Sequence, residues 1–292
     1  MQLGVKGLSS HRSGRPFSDW PSRRRRLSWT MAKISPKIDD VMNINWLARV
    51  GDTMVELVEL TKEEIEKIDK MSPAEFVEYF KSISKPYFDR QYRYGYEWIT
   101  KADTGAIISW LRQGTWNEWV AVNLLGTLIK DYTDYVDPEF YPLFSRQIAD
   151  ECRHVLIRHN LLKKYGGTME GFTPLEEWVR VFELPLKLAL EKPEFFQLRF
   201  TSVLQVGEWA SVSHHRGVVA GAGDKHPELR AVFKEILDDE LFHWSIAERT
   251  WLKMCDTLEK KLDVIRITQN YTLPVLDAAK RKRLELALQH KI

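Results

Sequence analysis

Two Glu-x-x-His sequences are the part of this chain best suited to bind a metal ion: Glu151–His154 and Glu240–His243. On a helix, side chains three positions apart lie on one face about a turn from each other. A carboxylate and an imidazole with this spacing can therefore bind the same ion. A single Glu-x-x-His arises often by chance, so the two copies carry weight only if another feature relates them.

An internal repeat relates the two copies. Asn117-Glu-Trp-Val-Ala-Val122 is similar to Gly207-Glu-Trp-Ala-Ser-Val212, and each block is followed by one Glu-x-x-His sequence. Between them, Pro138-Glu-Phe-Tyr-Pro-Leu-Phe144 and Pro227-Glu-Leu-Arg-Ala-Val-Phe233 stand in the same register. Each copy is typical of one helical hairpin. Two such hairpins predict a four-helix bundle with a pseudo-two-fold axis between them.

The two copies together supply four carboxylates and two imidazoles that would project inward from four helices. The predicted metal ligands are Glu118, Glu151, His154, Glu208, Glu240 and His243. This set of donors is typical of di-iron and di-manganese carboxylate sites. Both Glu-x-x-His sequences lie on apolar helix stripes, where a glutamate without a partner is rare. The alternative is a metal-free helical scaffold that has lost the function of the site.

The segments that must position these residues have sequences typical of helices. After residue 31, glycine is sparse and no segment alternates β-branched residues with polar ones. The sequence predicts four long helices at 106–134, 138–165, 194–220 and 227–260. It predicts shorter helices within 37–100, at 174–191 and in the C-terminal tail. Capping boxes indicate helix starts at Thr61–Glu64, Ser72–Glu75 and Thr173–Glu176. We therefore predict an all-α four-helix bundle at about 106–260, with additional N- and C-terminal helices.

Length and composition favour a globular protein. The chain has 292 residues, of which 44% are hydrophobic, enough for one large domain that we place at 31–292. Residues 1–30 hold seven basic side chains against one acidic side chain, so we expect a disordered basic tail, or sequence upstream of a start at Met31. The remainder is slightly acidic, which gives no electrostatic reason for binding nucleic acid. No apolar run in the sequence is long enough to cross a membrane, and only two cysteines, Cys152 and Cys255, favour a cytoplasmic location.

Over residues 106–255 the chain resembles the ferritin-like di-iron carboxylate proteins, with all six ligand positions in the same order. Asp150-Glu-Cys-Arg-His154 is similar to the Asp-Glu-x-Arg-His signature of soluble bacterial multicomponent monooxygenase hydroxylases and acyl-carrier-protein desaturases. The second copy, Asp239-Glu-Leu-Phe-His243, has Phe242 where those enzymes usually have arginine. The resemblance therefore assigns no subfamily.

The resemblance also implies roles for residues beside the ligands. Asp150 and Asp239 would each accept a hydrogen bond from a ligating imidazole and so fix its tautomer, either within one hairpin or across to the other. Arg153 would be the charge partner of Asp150. Ser211 lies close to where the family places a threonine that helps to deliver protons, although a packing role is the alternative. We expect His215 to be a pocket or surface histidine rather than a seventh ligand.

The resemblance implies a non-haem di-iron oxygenase or hydroxylase that activates O₂ and acts on a small organic substrate. A tyrosyl radical is not expected, because Arg158 stands where the radical-generating subunit of ribonucleotide reductase has a tyrosine. The chain has no Gly-x-Gly-x-x-Gly motif and no cysteine cluster, so electrons would come from a separate reductase or ferredoxin. A desaturase, an N-oxygenase and a non-catalytic metal-binding or scaffold subunit of an oxygenase complex are the alternatives. Manganese or a mixed Mn/Fe pair, and assembly as a homodimer or with oxygenase-complex subunits, also stay open.

Overall fold

The computed structural model of this protein describes residues 59–292 and, before them, the backbone at 49–50 and 53–54. All of these residues belong to one compact unit, Asn43–Ile292. The tail predicted at 1–30 lies outside the described residues.

The described part of the chain is almost entirely helical, which confirms the all-α prediction. Its α-helices are α1 Lys62–Asp69, α2 Pro73–Lys101, α3 Thr104–Asp131, α4 Tyr141–Lys164, α5 Glu176–Leu190, α6 Phe196–Ala222, α7 Pro227–Met254, α8 Leu258–Ile267 and α9 Leu273–Leu288. Short 3₁₀ helices cover Thr133–Tyr135, Pro138–Phe140 and Pro193–Phe195, and a π-helical turn, Thr268–Thr272, joins α8 to α9.

One short antiparallel pair departs from the helical prediction for 37–100. Strand β1, Arg49–Val50, pairs with strand β2, Thr53–Met54. The sequence between the strands is Gly51-Asp52, a dipeptide that favours two-residue hairpins.

Two of the three predicted capping boxes are present. The Thr61 hydroxyl accepts a hydrogen bond from the Glu64 backbone N–H while the Glu64 carboxylate accepts one from the Thr61 N–H, and Ser72 and Glu75 do the same at the start of α2. The third box, Thr173–Glu176, is wrong, because α5 begins at Glu176 and has no side-chain cap. The Leu175 N–H donates instead to the Gln113 side chain at 2.9 Å, which holds this segment extended against α3.

The four long helices of the repeat are α3, α4, α6 and α7, and they agree with the predicted ranges except at their ends. The largest difference is at the end of α7, which lies at Met254 rather than at the predicted residue 260. Thr257 accepts a hydrogen bond from the Lys260 N–H and so starts a separate helix, α8. Helix α2 is also longer than predicted: its 29 residues continue through Pro86, because a buried apolar stripe that includes Phe80 and Trp98 offsets the cost of the proline.

The helices of the repeat pack as two hairpins. Helix α3 packs along α4, α6 packs along α7, and α4 meets α7 between the hairpins. Helix α2 lies against α6 so closely that a Cβ atom added to Gly217 would stand 2.0 Å from the Tyr92 carbonyl oxygen. Helices α5 and α9 pack against each other and against α3. No described helix combines the length and the apolar character that a membrane span needs.

Candidate metal centre

The six predicted ligands come together between the four helices of the repeat. Their donor atoms form two groups, and within each group the atoms lie within 4.8 Å of one another. The first group contains Glu118, His154 and Glu240, and the second contains Glu151, Glu208 and His243. Each group draws on both hairpins, so neither could form without the other. Either group could hold a metal ion.

The carboxylate of Glu151 lies between the two imidazoles. One of its oxygens, Oε2, is 3.4 Å from His154 Nδ1, and the other, Oε1, is 3.4 Å from His243 Nδ1. His154 Nδ1 is also 4.0 Å from Glu118 Oε2, and His243 Nδ1 is 3.6 Å from Glu240 Oε2. Both imidazoles thus turn the same ring nitrogen toward the carboxylates. A carboxylate with one oxygen beside each imidazole has the geometry needed to bridge two ions.

Several atoms that face one another here are buried without a hydrogen-bond partner among the described residues. They are Glu151 Oε2, His154 Nδ1, Glu240 Oε2 and His243 Nδ1. Glu151 is only 1% exposed, so water cannot easily replace the missing partners. Burying such atoms unpaired costs free energy. Cations bound between them would satisfy these atoms, so the donors present fit a metal centre.

The pKa values of the two histidines report the negative charge that surrounds them. Burial lowers the pKa of His154, but the adjoining Glu151 and the charge of Glu118 outweigh burial and raise it to about 9. Burial likewise lowers the pKa of His243, and the charge of Glu151 with the hydrogen bond to Asp150 raises it to about 10. Protons therefore balance the carboxylates when no metal does so, and metal binding would have to displace them.

Two of the glutamates show the cost of this burial directly. Burial raises the pKa of Glu118 to about 8, although the nearby Arg158 guanidinium opposes the rise. Burial also raises the pKa of Glu208 well above its usual range, and the charges of Glu240 and Glu151 raise it further. Four carboxylates in so small a volume repel one another, which favours the binding of multivalent cations.

Each aspartate that precedes a Glu-x-x-His lies beside the imidazole of the opposite hairpin. His154 Nε2 is 3.0 Å from Asp239 Oδ2, and His243 Nε2 is 3.4 Å from Asp150 Oδ2. The alternative left open by the sequence is thus settled in favour of contacts between hairpins. A proton held on Nε2 by the aspartate leaves Nδ1 as the nitrogen that can bind a metal.

The expected pairing of Arg153 with Asp150 is wrong. Arg153 points across to α7, where its guanidinium donates to Asp239 and to Glu235. Asp150 is approached instead by Arg146 Nε at 3.5 Å, and the same guanidinium lies 3.6 Å from the ring centroid of Phe242. Arg146 stands one turn before Asp150 on α4, a helical spacing that could have indicated this partner.

Other polar residues, which the sequence did not identify as supporting residues, also contact the centre. Arg158 Nε lies 2.6 Å from Glu118 Oε1, and its Nη2 lies 3.3 Å from His215 Nε2. His215 is buried, with Nδ1 3.9 Å from Glu240 Oε1. Gln147 Nε2 donates to Glu208 Oε1 at 3.0 Å. Gln147 stands one turn before Glu151, a helical spacing that could have revealed it.

A cavity adjoins the carboxylates, and Ser211 and His215 line it. The empty space within it is about 850 Å³, part of which is open to solvent. One wall comes from α5 and another from α9, two helices outside the repeat. Trp209 and Trp244, which follow ligands in the sequence, stack on each other at 4.4 Å between centroids and belong to the hydrophobic core.

Comparison of the chain with models of protein families, with curated proteins and with solved structures gives no match. The likeness to the ferritin-like di-iron carboxylate proteins therefore rests on the motifs and spacing of this sequence.

Proposed function

We propose that this protein is an O₂-activating oxygenase or hydroxylase with a di-iron carboxylate centre in a ferritin-like four-helix bundle. The observation that carries the proposal is the position of Glu151, whose two oxygens each lie 3.4 Å from a different imidazole. The histidines of the two donor groups therefore lie beside the same carboxylate. Such sharing is expected of a centre for two ions rather than one.

Each donor group would hold one ion. Glu118, His154 and Glu240 would hold the first, and Glu151, Glu208 and His243 would hold the second. Glutamate and imidazole donors suit Fe(II) and Mn(II), whereas magnesium and calcium prefer oxygen donors alone. A pair of ferrous ions held here would supply the electrons that reduce O₂.

The chain's own side chains would orient the ligands and keep the centre dry. Asp239 and Asp150 fix which nitrogen of each imidazole carries the proton. Arg158 holds one oxygen of Glu118 at 2.6 Å and leaves the other free for a metal. The adjoining cavity gives a small organic substrate access to the carboxylates. Further electrons would come from a separate reductase or ferredoxin.

The first test is metal content. The purified full-length chain should bind two ions per molecule when titrated anaerobically with Fe(II), and the iron-loaded protein should consume O₂. Replacing either His154→Ala or His243→Ala should lower both iron content and O₂ consumption. His159→Ala is the matched control, because His159 lies on α4 beside this region but outside both donor groups.

The outcomes separate the alternatives. A His243→Ala protein that still binds two irons would contradict the ligand assignment. Two bound irons without O₂ consumption, even with a chemical reductant, would contradict the oxygenase and favour a non-catalytic metal-binding subunit. Tighter binding of Mn(II) than of Fe(II), with O₂ uptake only when manganese is present, would replace the di-iron assignment with a manganese-containing one.

A further inference from the structure

Two cationic side chains from α9 enter the cavity beside the candidate metal centre. Lys280 and Arg283 lie three positions apart on one face of that helix, and both line the cavity. They are only 5% and 6% exposed. Lysine and arginine are almost never buried so fully unless a partner of opposite charge is present.

Among the described residues, neither side chain has a carboxylate partner within hydrogen-bond distance. Lys280 makes no hydrogen bond or ion pair with another described residue, although the charges of Glu240 and Glu208 act on it through space. Arg283 donates one N–H to the Trp110 carbonyl at 2.6 Å and lies 3.7 Å from the centroid of the Trp110 ring, while its Nε has no partner. Burial and the charge of Arg283 lower the pKa of Lys280 to about 7. An anion near Lys280 would reverse that effect and retain the ammonium form.

Arg158, the third buried cation of the cavity, differs from these two because its guanidinium is already bound to Glu118 and His215. Gly114 leaves the space that two guanidinium groups need. A Cβ atom there would stand 2.9 Å from Arg283 Nη2 and 3.0 Å from Arg158 Nη1. The charges of Glu240 and Glu208 favour the ammonium form of Lys280. Divalent ions bound to these glutamates would offset that negative charge, so Lys280 and Arg283 would then need another anion.

Apolar side chains line the same cavity beside the two cations, and the Arg283 guanidinium lies 5.8 Å from the centroid of the Trp178 ring. Trp178, Phe182 and Leu184 line it from α5, and Leu276 lines it from α9, one turn before Lys280. The cavity thus has three parts: the carboxylates of the candidate metal centre, a cationic part and an apolar part. A ligand that contacts both the cationic and the apolar part, beside the metal centre, carries a negatively charged group and an apolar body.

We propose that Lys280 and Arg283 bind the carboxylate of a small organic acid, whose apolar body lies against α5 and which is the substrate of the centre. The assignment as a substrate rests on the proposed oxygenase, whereas the binding site itself does not. A planar carboxylate matches the paired N–H donors of a guanidinium better than a neutral group does. Lys280 adds a second positive charge, and its flexible side chain can adjust to the position of the carboxylate.

The test compares an acid with its neutral counterpart. Binding of 4-phenylbutanoate, 4-phenylbutanamide and acetate to the full-length protein is measured by calorimetry, anaerobically, both with Fe(II) bound and without metal. We expect the iron-loaded protein to bind the acid roughly ten- to a hundredfold more tightly than the amide. Acetate should bind more weakly than the phenylbutanoate because it lacks the apolar body. Lys280→Met should remove most of the preference for the acid, and Lys282→Met, on the same helix and partly exposed, should not.

If the Lys280→Met protein does not fold, the role of Lys280 can still be tested by chemical labelling of the unmodified chain. The N-hydroxysuccinimide ester of 4-phenylbutanoic acid should acylate the Lys280 amine with loss of N-hydroxysuccinimide. Free 4-phenylbutanoate should protect Lys280, as peptide mapping can detect, and the amide should protect it poorly.

Equal affinity for acid and amide, equal affinity for acetate and phenylbutanoate, or an acid preference that survives Lys280→Met would overturn the proposal. Metal content, measured separately, distinguishes the two proposals. A protein that prefers the acid but binds no iron would retain the anion site and lose the oxygenase. A protein that binds two irons but shows no preference for the acid would retain the metal centre and lose the anion site.

Discussion

Asp239→Asn should weaken iron binding more than any other single change outside the six ligands. Asp239 lies 3.0 Å from His154 Nε2 and also pairs with Arg153. An amide of the same size keeps the volume but gives up both charge-assisted interactions, so the imidazole becomes a weaker and less firmly oriented ligand. Changes to such supporting residues cost about ten- to a hundredfold in metal affinity. We expect Asp239→Asn near the upper end of that range, a loss of about 3 kcal/mol.

The equivalent change in the other hairpin should cost less. Asp150 lies 3.4 Å from His243 Nε2 and 3.5 Å from Arg146 Nε, so its contacts are longer. We expect Asp150→Asn to lose about tenfold in iron affinity.

The assay is anaerobic competition for Fe(II) between the protein and a chromogenic chelator. Asp238→Asn is the matched control, because Asp238 is exposed and precedes Asp239 on the same helix. If Asp239→Asn and Asp238→Asn bound iron as tightly as the unmodified chain does, the orienting role of Asp239 would be refuted. A larger loss for Asp150→Asn than for Asp239→Asn would refute the ranking drawn from the distances.

Three further predictions concern stability. The pKa values of His154 and His243, raised to about 9 and about 10 from 6.5, mean that the folded metal-free protein holds protons that the unfolded chain has released. This stabilisation is complete below pH 6.5 and is lost as pH rises through the folded values. Thermal unfolding should therefore show the metal-free protein losing at most about 2 kcal/mol per histidine between pH 6.5 and 8.5, and the metal-loaded protein losing less. Gly217→Ala should destabilise by about 3 kcal/mol, because its Cβ would meet the Tyr92 carbonyl at 2.0 Å. Gly126→Ala, whose Cβ meets nothing within 4 Å, should leave the melting temperature unchanged or higher.

The long helices were predictable from the sequence because their signals are local. Apolar spacing, the hydroxyl and glutamate of a capping box, and proline at a first turn all act within a few residues. The same signals fail where a distant segment competes. Thr173 and Glu176 have the sequence of a capping box, yet the hydrogen bond from the Leu175 N–H to Gln113 delays the start of α5. A local pattern cannot anticipate a partner that lies on another helix.

The six candidate ligands were predictable for a different reason, which is that the repeat shows each of them twice. Glu118 and Glu208 have unremarkable surroundings when taken singly, and only their matching positions relative to the two Glu-x-x-His sequences indicate a site. The contacts between hairpins lay beyond this reasoning. Arg153 could as well have faced Asp150 on its own helix as Asp239 on α7, and the packing of α4 on α7 decides between them.

The cationic part of the cavity was beyond sequence reasoning because α9 lies outside the repeat and has no second copy to compare. In the sequence, Lys280 and Arg283 belong to a run of four basic residues, 280–283, which is typical of an exposed helix face. The structure divides that run: Lys280 and Arg283 are buried at the cavity, while Arg281 is exposed and Lys282 is partly exposed. Helix periodicity alone permits this division, but only the position of α9 against α3 and α5 determines which face is buried. The repeat could therefore indicate the donors of a metal centre, whereas the chemistry of what binds beside it depends on helices that occur once.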